Sequence, residues 1–324
     1  MEKRAIGRSG LRIAPLMLGG NVFGWTADEA TSLAILDTFV DAGFNGIDTA
    51  DMYSGWIPGN FGGESEEVIG RWLKSRGARD RVVLATKVGA RRPDWGAQEQ
   101  FTADLSASYL VKAVERALTR LQTDYIDLLQ SHQDDPTTPL DETLEAYGRL
   151  VQAGKIRAIG ASHYEPERLS EALAVSRQTG LPRYESVQTR FNMLDTAEMA
   201  SGIQDVCLGN DVGVLCYSAL AKGFLTGRYR DQGDAAKSQW AADLSRYADE
   251  RGHRVLATLD KIAAELRTSA GAVSLAWLMA QPGVTAPIVA MNNLGELAEA
   301  TAAVGLSLDE RQVAALSAEV NRTT

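Results

Sequence analysis

Eight short aliphatic runs recur along the chain, separated for the most part by longer stretches with helical spacing. That alternation restricts the fold more than any other feature. The runs are LMLGGN (16–21), GFNGIDTA (43–50), VVLATKV (82–88), YIDLLQSH (125–132), IRAIGASH (156–163), SVQTRFN (186–192), GVLCYSAL (213–220) and PIVAMN (287–292). They lack strict polar alternation, as strands covered on both faces do. Between them DEATSLAILDTFVDAG, SEEVIGRWLKSRG, SASYLVKAVERALTRL, PLDETLEAYGRLVQAG, PERLSEALAVSRQTG and EMASGIQDVCLGN read as helices. The first opens on acidic residues and stops at Gly43, in keeping with the helix dipole and a glycine stop. Eight units at spacings near 30 residues predict an α/β chain closed into a (β/α)8 TIM barrel. An open doubly wound sheet would not need that count. The length of 324 residues suits one barrel domain spanning 1–324. EKRAIGRSGLRIAPL, ahead of the first unit, predicts an N-terminal β-hairpin closing the barrel floor. Extra helices near the C-terminus are expected at 254–266, 269–280 and 308–320, and long loops at 89–105 and 221–250.

The formal net charge is −9 and no basic cluster occurs, which argues against nucleic acid or an anionic membrane as partner. No apolar run approaches a membrane span, and MEKRAIGRSGLRIAPLMLGG lacks a secretory core. Cys207 and Cys216 are the only cysteines, so no disulfide framework is implied and a reducing cytoplasm is the expected location. His132, His163 and His253 show no metal-ligand spacing, and no metal is expected.

Barrel enzymes carry their sites at the C-terminal ends of the strands. There the second run holds Asp48, with Tyr53 just beyond; the third ends near Lys87 and the fourth at His132. Singly each has a structural use: Asp48 as a cap, Tyr53 as a packed aromatic, Lys87 as a snorkelling chain, His132 as a bonded core residue. Four on one face make a coherent chemistry. A phenol titrates near pH 10, and an adjacent ammonium favours its ionised form. A carboxylate holds the desolvated ammonium, and an imidazole donates to an oxygen gaining charge. That set suits carbonyl reduction, with hydride from a nicotinamide cofactor. GxGxxG and Walker A patterns are absent, so the dinucleotide phosphates are expected at the loops after the last two strands, CYSALAKGFLTGRYR and VAMNNLGELAEA. Lys222, Arg228 and Arg230 lie close together there.

At these residues the chain resembles the aldo-keto reductase superfamily, over essentially its whole length. The markers are GFNGIDTADMY…GGESEEVIGRWL, VVLATKVG, DYIDLLQSH, GKIRAIGAS, CYSALAKGFLTGRY and VTAPIV. The likeness is to the bacterial branch that also resembles potassium-channel β subunits. It implies a catalytic tetrad of Asp48, Tyr53, Lys87 and His132. For the cofactor it implies Asn21, Asp48, Ser162, His163, Gln188, Tyr217, Ser218, Leu220, Lys222, Arg228, Asn292, Glu296 and Glu299. Ser162 and Gln188 match holders of the carboxamide, Tyr217 the ring that stacks on nicotinamide, and Glu299 an acid near the adenine. His163 stands where the family has Asn or Arg. Substrate residues are expected at Trp56, Trp95, Gln133 and Asn192. NADP(H) is the family's usual cofactor, but AMNNLGELAEAT departs from its pattern: Asn293 replaces an arginine, Ala300 an asparagine, and Glu296 adds charge beside the 2′-phosphate position. NAD(H) is therefore a serious alternative. The expected activity is interconversion of a small aldehyde or ketone with its alcohol. A redox-responsive regulatory subunit with little turnover is the alternative.

Overall fold

The computed structural model describes residues 1–91, 102–230, 232–236, 238 and 240–322. Strands β1 (Arg4–Ala5) and β2 (Arg12–Ile13) pair antiparallel as the expected hairpin. Then come β3 (Met17–Gly19), α1 (Glu29–Asp41), β4 (Gly46–Asp48), α2 (Glu64–Arg76) and β5 (Val83–Val88). A short antiparallel pair, β6 (Ala90–Arg91) and β7 (Thr102–Ala103), flanks residues outside the described set. The repeat resumes with α3 (Ala107–Leu121), β8 (Ile126–Ser131), α4 (Leu140–Gln152), β9 (Ile156–Ser162), α5 (Pro166–Thr179), β10 (Tyr184–Arg190), α6 (Gln204–Asn210) and β11 (Gly213–Tyr217). Helices α7 (Gln232–Ala235), α8 (Ala241–Ser245), α9 (Glu250–Leu266) and α10 (Ala270–Met279) precede β12 (Val284–Val289). Helices α11 (Leu294–Ala302) and α12 (Glu310–Asn321) end the chain. The parallel strands close in the order β10-β11-β12-β3-β4-β5-β8-β9, the (β/α)8 barrel that the spacing predicts.

Two apolar layers hold it. Outside the strands, helix faces bury Phe39, Trp72, Leu144 and Trp277 against the barrel. Inside, Ile6 and Ile13 of the hairpin plug the floor against Met17, Val83, Ala85, Leu128, Ala158, Leu215, Ala286 and Ile288. Asn45 ties the plug to β4: its Oδ1 accepts from Ala14 N at 2.9 Å and its Nδ2 donates to Arg12 O at 3.0 Å. Helices α2 and α3 approach so closely that a Cβ on Gly70 would lie 2.1 Å from the Arg120 carbonyl oxygen.

Three boundaries differ from expectation. The last strand starts at Val284, not 287; Pro287 lies inside it, paired with Cys216, one pair beyond a register shift between Val214 and Leu215. EMASGIQDVCLGN is broken by Gly202, at φ 113°, so a wide π-turn (Met199–Ile203) precedes α6. Within 221–250 the chain is not a bare loop: it forms a 3-10 segment, Ala221–Thr226, then α7 and α8.

Candidate active site

Side chains along a strand alternate faces, so each barrel strand sends one column inward. On β5 that column is Val83, Ala85, Lys87; on β8 it is Leu128, Gln130 and, one step past the strand, His132. The lower members form the apolar plug layer and the upper ones are polar. Asp48 tops the column of β4, Ser162 that of β9, Gln188 and Arg190 that of β10, and Tyr217 that of β11.

Lys87 Nζ donates to Asp48 Oδ2 at 2.6 Å and to Thr49 O at 2.9 Å, with both side chains of the ion pair 1% exposed. The ammonium lies 4.8 Å from the Tyr53 ring centroid, close enough for its charge to act on the phenol. Burial pulls the Lys87 pKa down, but Asp48 and Tyr53 together more than offset it, and the lysine stays charged. Tyr53 departs from the expectation of an acidified phenol. Burial raises its pKa, the Lys87 charge lowers it, and burial wins. The His132 ring stands 6.3 Å from that of Tyr53, centroid to centroid, at 79°. Burial and the Lys87 charge hold its pKa well below the usual imidazole value, so it is neutral. Its Nδ1 is buried with no hydrogen-bond partner among the described residues.

Gln130, which the strand-end reading passed over, completes the polar layer. Its Nε2 donates to Asp48 Oδ1 at 2.9 Å, and Gln188 Nε2 donates to the same oxygen at 2.9 Å and to Gln130 Oε1 at 3.0 Å. The signal was available: Gln130 is two residues before His132 and therefore in its column.

A cavity of ≈ 380 Å³ opens above this layer. Asp48, Tyr53 and His132 line one end, and Ser162, His163, Gln188 and Tyr217 adjoin them. Ser218, Leu220, Lys222, Arg228, Asn21, Asn292, Glu296 and Glu299 line it too, so every residue expected at the cofactor faces one space. Ser218, Ala221 and Lys222 take left-handed φ of 54°, 48° and 56°, ahead of Gly223 at 91°. Three side-chain-bearing residues in that region within one loop are the kind of strain that gathers at ligand clamps. The Lys222 ammonium sits 3.9 Å over the Trp240 ring and pairs with no carboxylate among the described residues. Arg228 Nη1 donates to Glu296 Oε1 at 2.6 Å, and Glu296 Oε2 accepts from Asn292 N at 2.9 Å and Asn292 Nδ2 at 3.2 Å. Glu299 Oε2 is 3.9 Å from Arg228 Nη2.

The substrate expectations fare differently. Trp56 packs edge-on to Tyr53 at 6.0 Å and to Trp25 at 5.4 Å, and Trp25 meets Trp240 at 5.3 Å; of the three tryptophans Trp240 lines the cavity, while Trp56 and Trp25 do not and reach it only through Tyr53 and Trp240. Gln133 follows His132 but is not among the residues lining the cavity. Asn192 is fully buried elsewhere: its amide donates to Asp195 Oδ2 and Ser218 O, both at 2.9 Å, and its Oδ1 accepts from Leu194 N and Asp195 N. It shapes the loop beneath the site instead of facing the cavity. Trp95 lies outside the described residues. Arg190, which lines the cavity with its Nε buried and unpartnered among the described residues, was not anticipated.

The model of the Aldo/keto reductase family matches residues 15–320. The chain belongs to that family. It is 34% identical over 312 residues to "Uncharacterized oxidoreductase YrpG" of Bacillus subtilis (strain 168), covering 96% of this chain and 93% of that one. It is 30% identical to "Aldo-keto reductase yakc [NADP(+)]" of Schizosaccharomyces pombe, covering 90% and 83%. To a "Probable voltage-gated potassium channel subunit beta" of Oryza sativa subsp. japonica it is 29% identical, covering 92% and 90%. Membership makes the chain an oxidoreductase that uses a nicotinamide cofactor on small carbonyl compounds. Among the described residues no helix is long and apolar enough to cross a membrane, and no group of His, Cys, Asp and Glu could hold a metal ion.

Proposed function

We propose that this family member interconverts an aldehyde or ketone with the corresponding alcohol, with Tyr53 exchanging the proton. The observation that carries the reading is the buried Lys87–Asp48 pair beside Tyr53, whose phenol lines a cavity with Gln188, Ser162, Tyr217 and Lys222. The donor set fits a dinucleotide. Gln188 has both amide hydrogens committed inside the protein, leaving its Oε1 to accept from a carboxamide, and Lys222 pairs with no carboxylate among the described residues, which leaves its charge for phosphate. The bound nicotinamide supplies hydride; the protein supplies everything that handles the proton.

The raised Tyr53 pKa keeps the phenol protonated at neutral pH, as a proton donor in reduction requires. Lys87 lowers the cost of the phenolate left behind, and Asp48 keeps that ammonium in place. Neutral His132 lines the cavity, and with its proton on Nε2 it would donate to a substrate oxygen as negative charge grows. Tyr53 and Trp240 line the cavity, with Trp56 and Trp25 packed against them, which gives it an aromatic flank suited to a flat or ring-bearing carbonyl compound. Residues 1–324 act as one barrel domain.

The cofactor preference follows from Glu296. Its carboxylate already occupies Arg228 and the Asn292 amide, the groups that a 2′-phosphate would seek. A phosphate there meets net negative charge from Glu296 and Glu299, which favours NAD(H) over the family's more usual NADP(H). The test is a panel of aromatic and aliphatic aldehydes and ketones with each reduced cofactor, following loss of nicotinamide absorbance. Turnover with at least one carbonyl class supports the reading. A cofactor that binds tightly yet stays reduced with every compound contradicts it and favours the regulatory alternative.

A further inference from the structure

Gln130 and Gln188 stand on β8 and β10, with β9 between them. Gln130 is in register with Gly160 of β9, and Gly160 with Ser186 of β10. A Cβ on Gly160 would come within 2.4 Å of Ser186 Oγ and 3.0 Å of Gln130 Cγ. The missing side chain is thus the gap through which Gln130 reaches across a whole strand to Gln188.

We propose that Gln130 is a positioning residue that couples the proton-handling group to the cofactor site, by orienting the Gln188 amide and sharing the Asp48 carboxylate. Three hydrogen bonds among three fully buried residues define the link. An amide can present either its oxygen or its nitrogen, and the two ends differ little in shape. Gln130 Oε1 and Asp48 Oδ1 take both hydrogens of Gln188 Nε2, so the Gln188 oxygen faces the cavity as an acceptor. Without Gln130 one of those hydrogens loses its acceptor, and Asp48 alone is left to hold the amide in that orientation. The second effect is on charge. Gln130 and Gln188 donate to one Asp48 oxygen while Lys87 donates to the other. Losing a donor leaves more negative charge on Asp48, and Asp48 opposes ionisation of Tyr53.

This inference rests on the reading of Gln188 as the carboxamide's partner, and the test separates the two. Gln130→Met and Gly160→Ala are compared with wild type and Gln188→Met for reduced-cofactor Kd by fluorescence titration, and for the pH profile of carbonyl reduction. The expected result is a cofactor Kd weakened about tenfold in Gln130→Met, the scale of one buried hydrogen bond to a charged network, and a similar loss in Gly160→Ala. The alkaline limb of the profile moves to higher pH. In a Gln188→Met background the Gln130→Met change adds little, because its target is gone. A Gln130→Met protein with wild-type Kd and pH profile overturns the inference, as does full additivity with Gln188→Met. Failure of Gln188→Met to weaken the cofactor, with a functional wild type, removes the carboxamide reading instead.

Discussion

Tyr53 is pulled two ways: burial and Asp48 keep its proton on, and Lys87 draws it off. With burial ahead, reduction needs no titration of Tyr53 at neutral pH and declines only above the ordinary phenol value of about 10. Because His132 is already neutral, the profile shows no break from it near pH 6.5. Lys87→Met removes the group that lowers the Tyr53 pKa, so the alkaline limb moves up in pH while the maximal rate falls. It also strands the buried Asp48 charge and costs about 3–5 kcal/mol of stability, measurable by urea unfolding. Asp48, Tyr53, Lys87 and His132 were legible because each polar residue interrupts or follows an apolar run. Gln130 was not, because reading only the last residue of a strand misses the one two steps below it. Asn192 misled for a related reason: a polar residue after a strand looks alike in sequence whether its amide faces the cavity or braces a loop.

Loops and short elements decide how the site is tuned. After β12, Glu296 in the first turn of α11 forms a 2.6 Å pair with Arg228, in the loop after β11. Glu296→Gln keeps reach towards Asn292 but removes the charge, and it should improve NADP(H) binding relative to NAD(H) by about tenfold, or roughly 1.4 kcal/mol; an unchanged ratio of the two Kd values would sink the charge argument. In the turn after β8, Asp135 accepts from Leu105 N at 2.9 Å, Thr137 N at 2.9 Å and Thr138 Oγ1 at 2.6 Å. Burial opposes its charge, but these bonds outweigh burial and lower its pKa to about 2. A depressed carboxylate stabilises the fold above its unfolded pKa, about 4, and loses that contribution as pH falls through the folded value. Asp135→Asn therefore lowers the melting temperature at pH 7, with a cost of about 1–3 kcal/mol. The gap from wild type narrows as pH drops from about 4 towards 2. Element boundaries were read less well than element existence. Pro287 hid the start of β12, and Gly202, unremarkable in a helical pattern, split the segment ahead of α6.

For the molecule as a whole, the eightfold repeat was the legible part, since a buried parallel strand and its covering helix leave the same apolar signature at each turn of the barrel. What the pattern did not show was the division of the interior into an apolar floor and a polar mouth, which depends on which residues share a column. That division separates stability from chemistry. Ile13→Ala, in the floor plug, should cost about 2–5 kcal/mol in chemical denaturation and leave turnover per folded molecule unchanged; a large loss of kcat would mean that the two ends are coupled. The mouth is tested most directly by Tyr53→Phe, with cofactor Kd and carbonyl reduction measured on the same sample. The account predicts a Kd within about twofold of wild type and a rate reduced by roughly 100- to 10,000-fold, the worth of a positioned general acid. A Tyr53→Phe protein that reduces the carbonyl at the wild-type rate would contradict it.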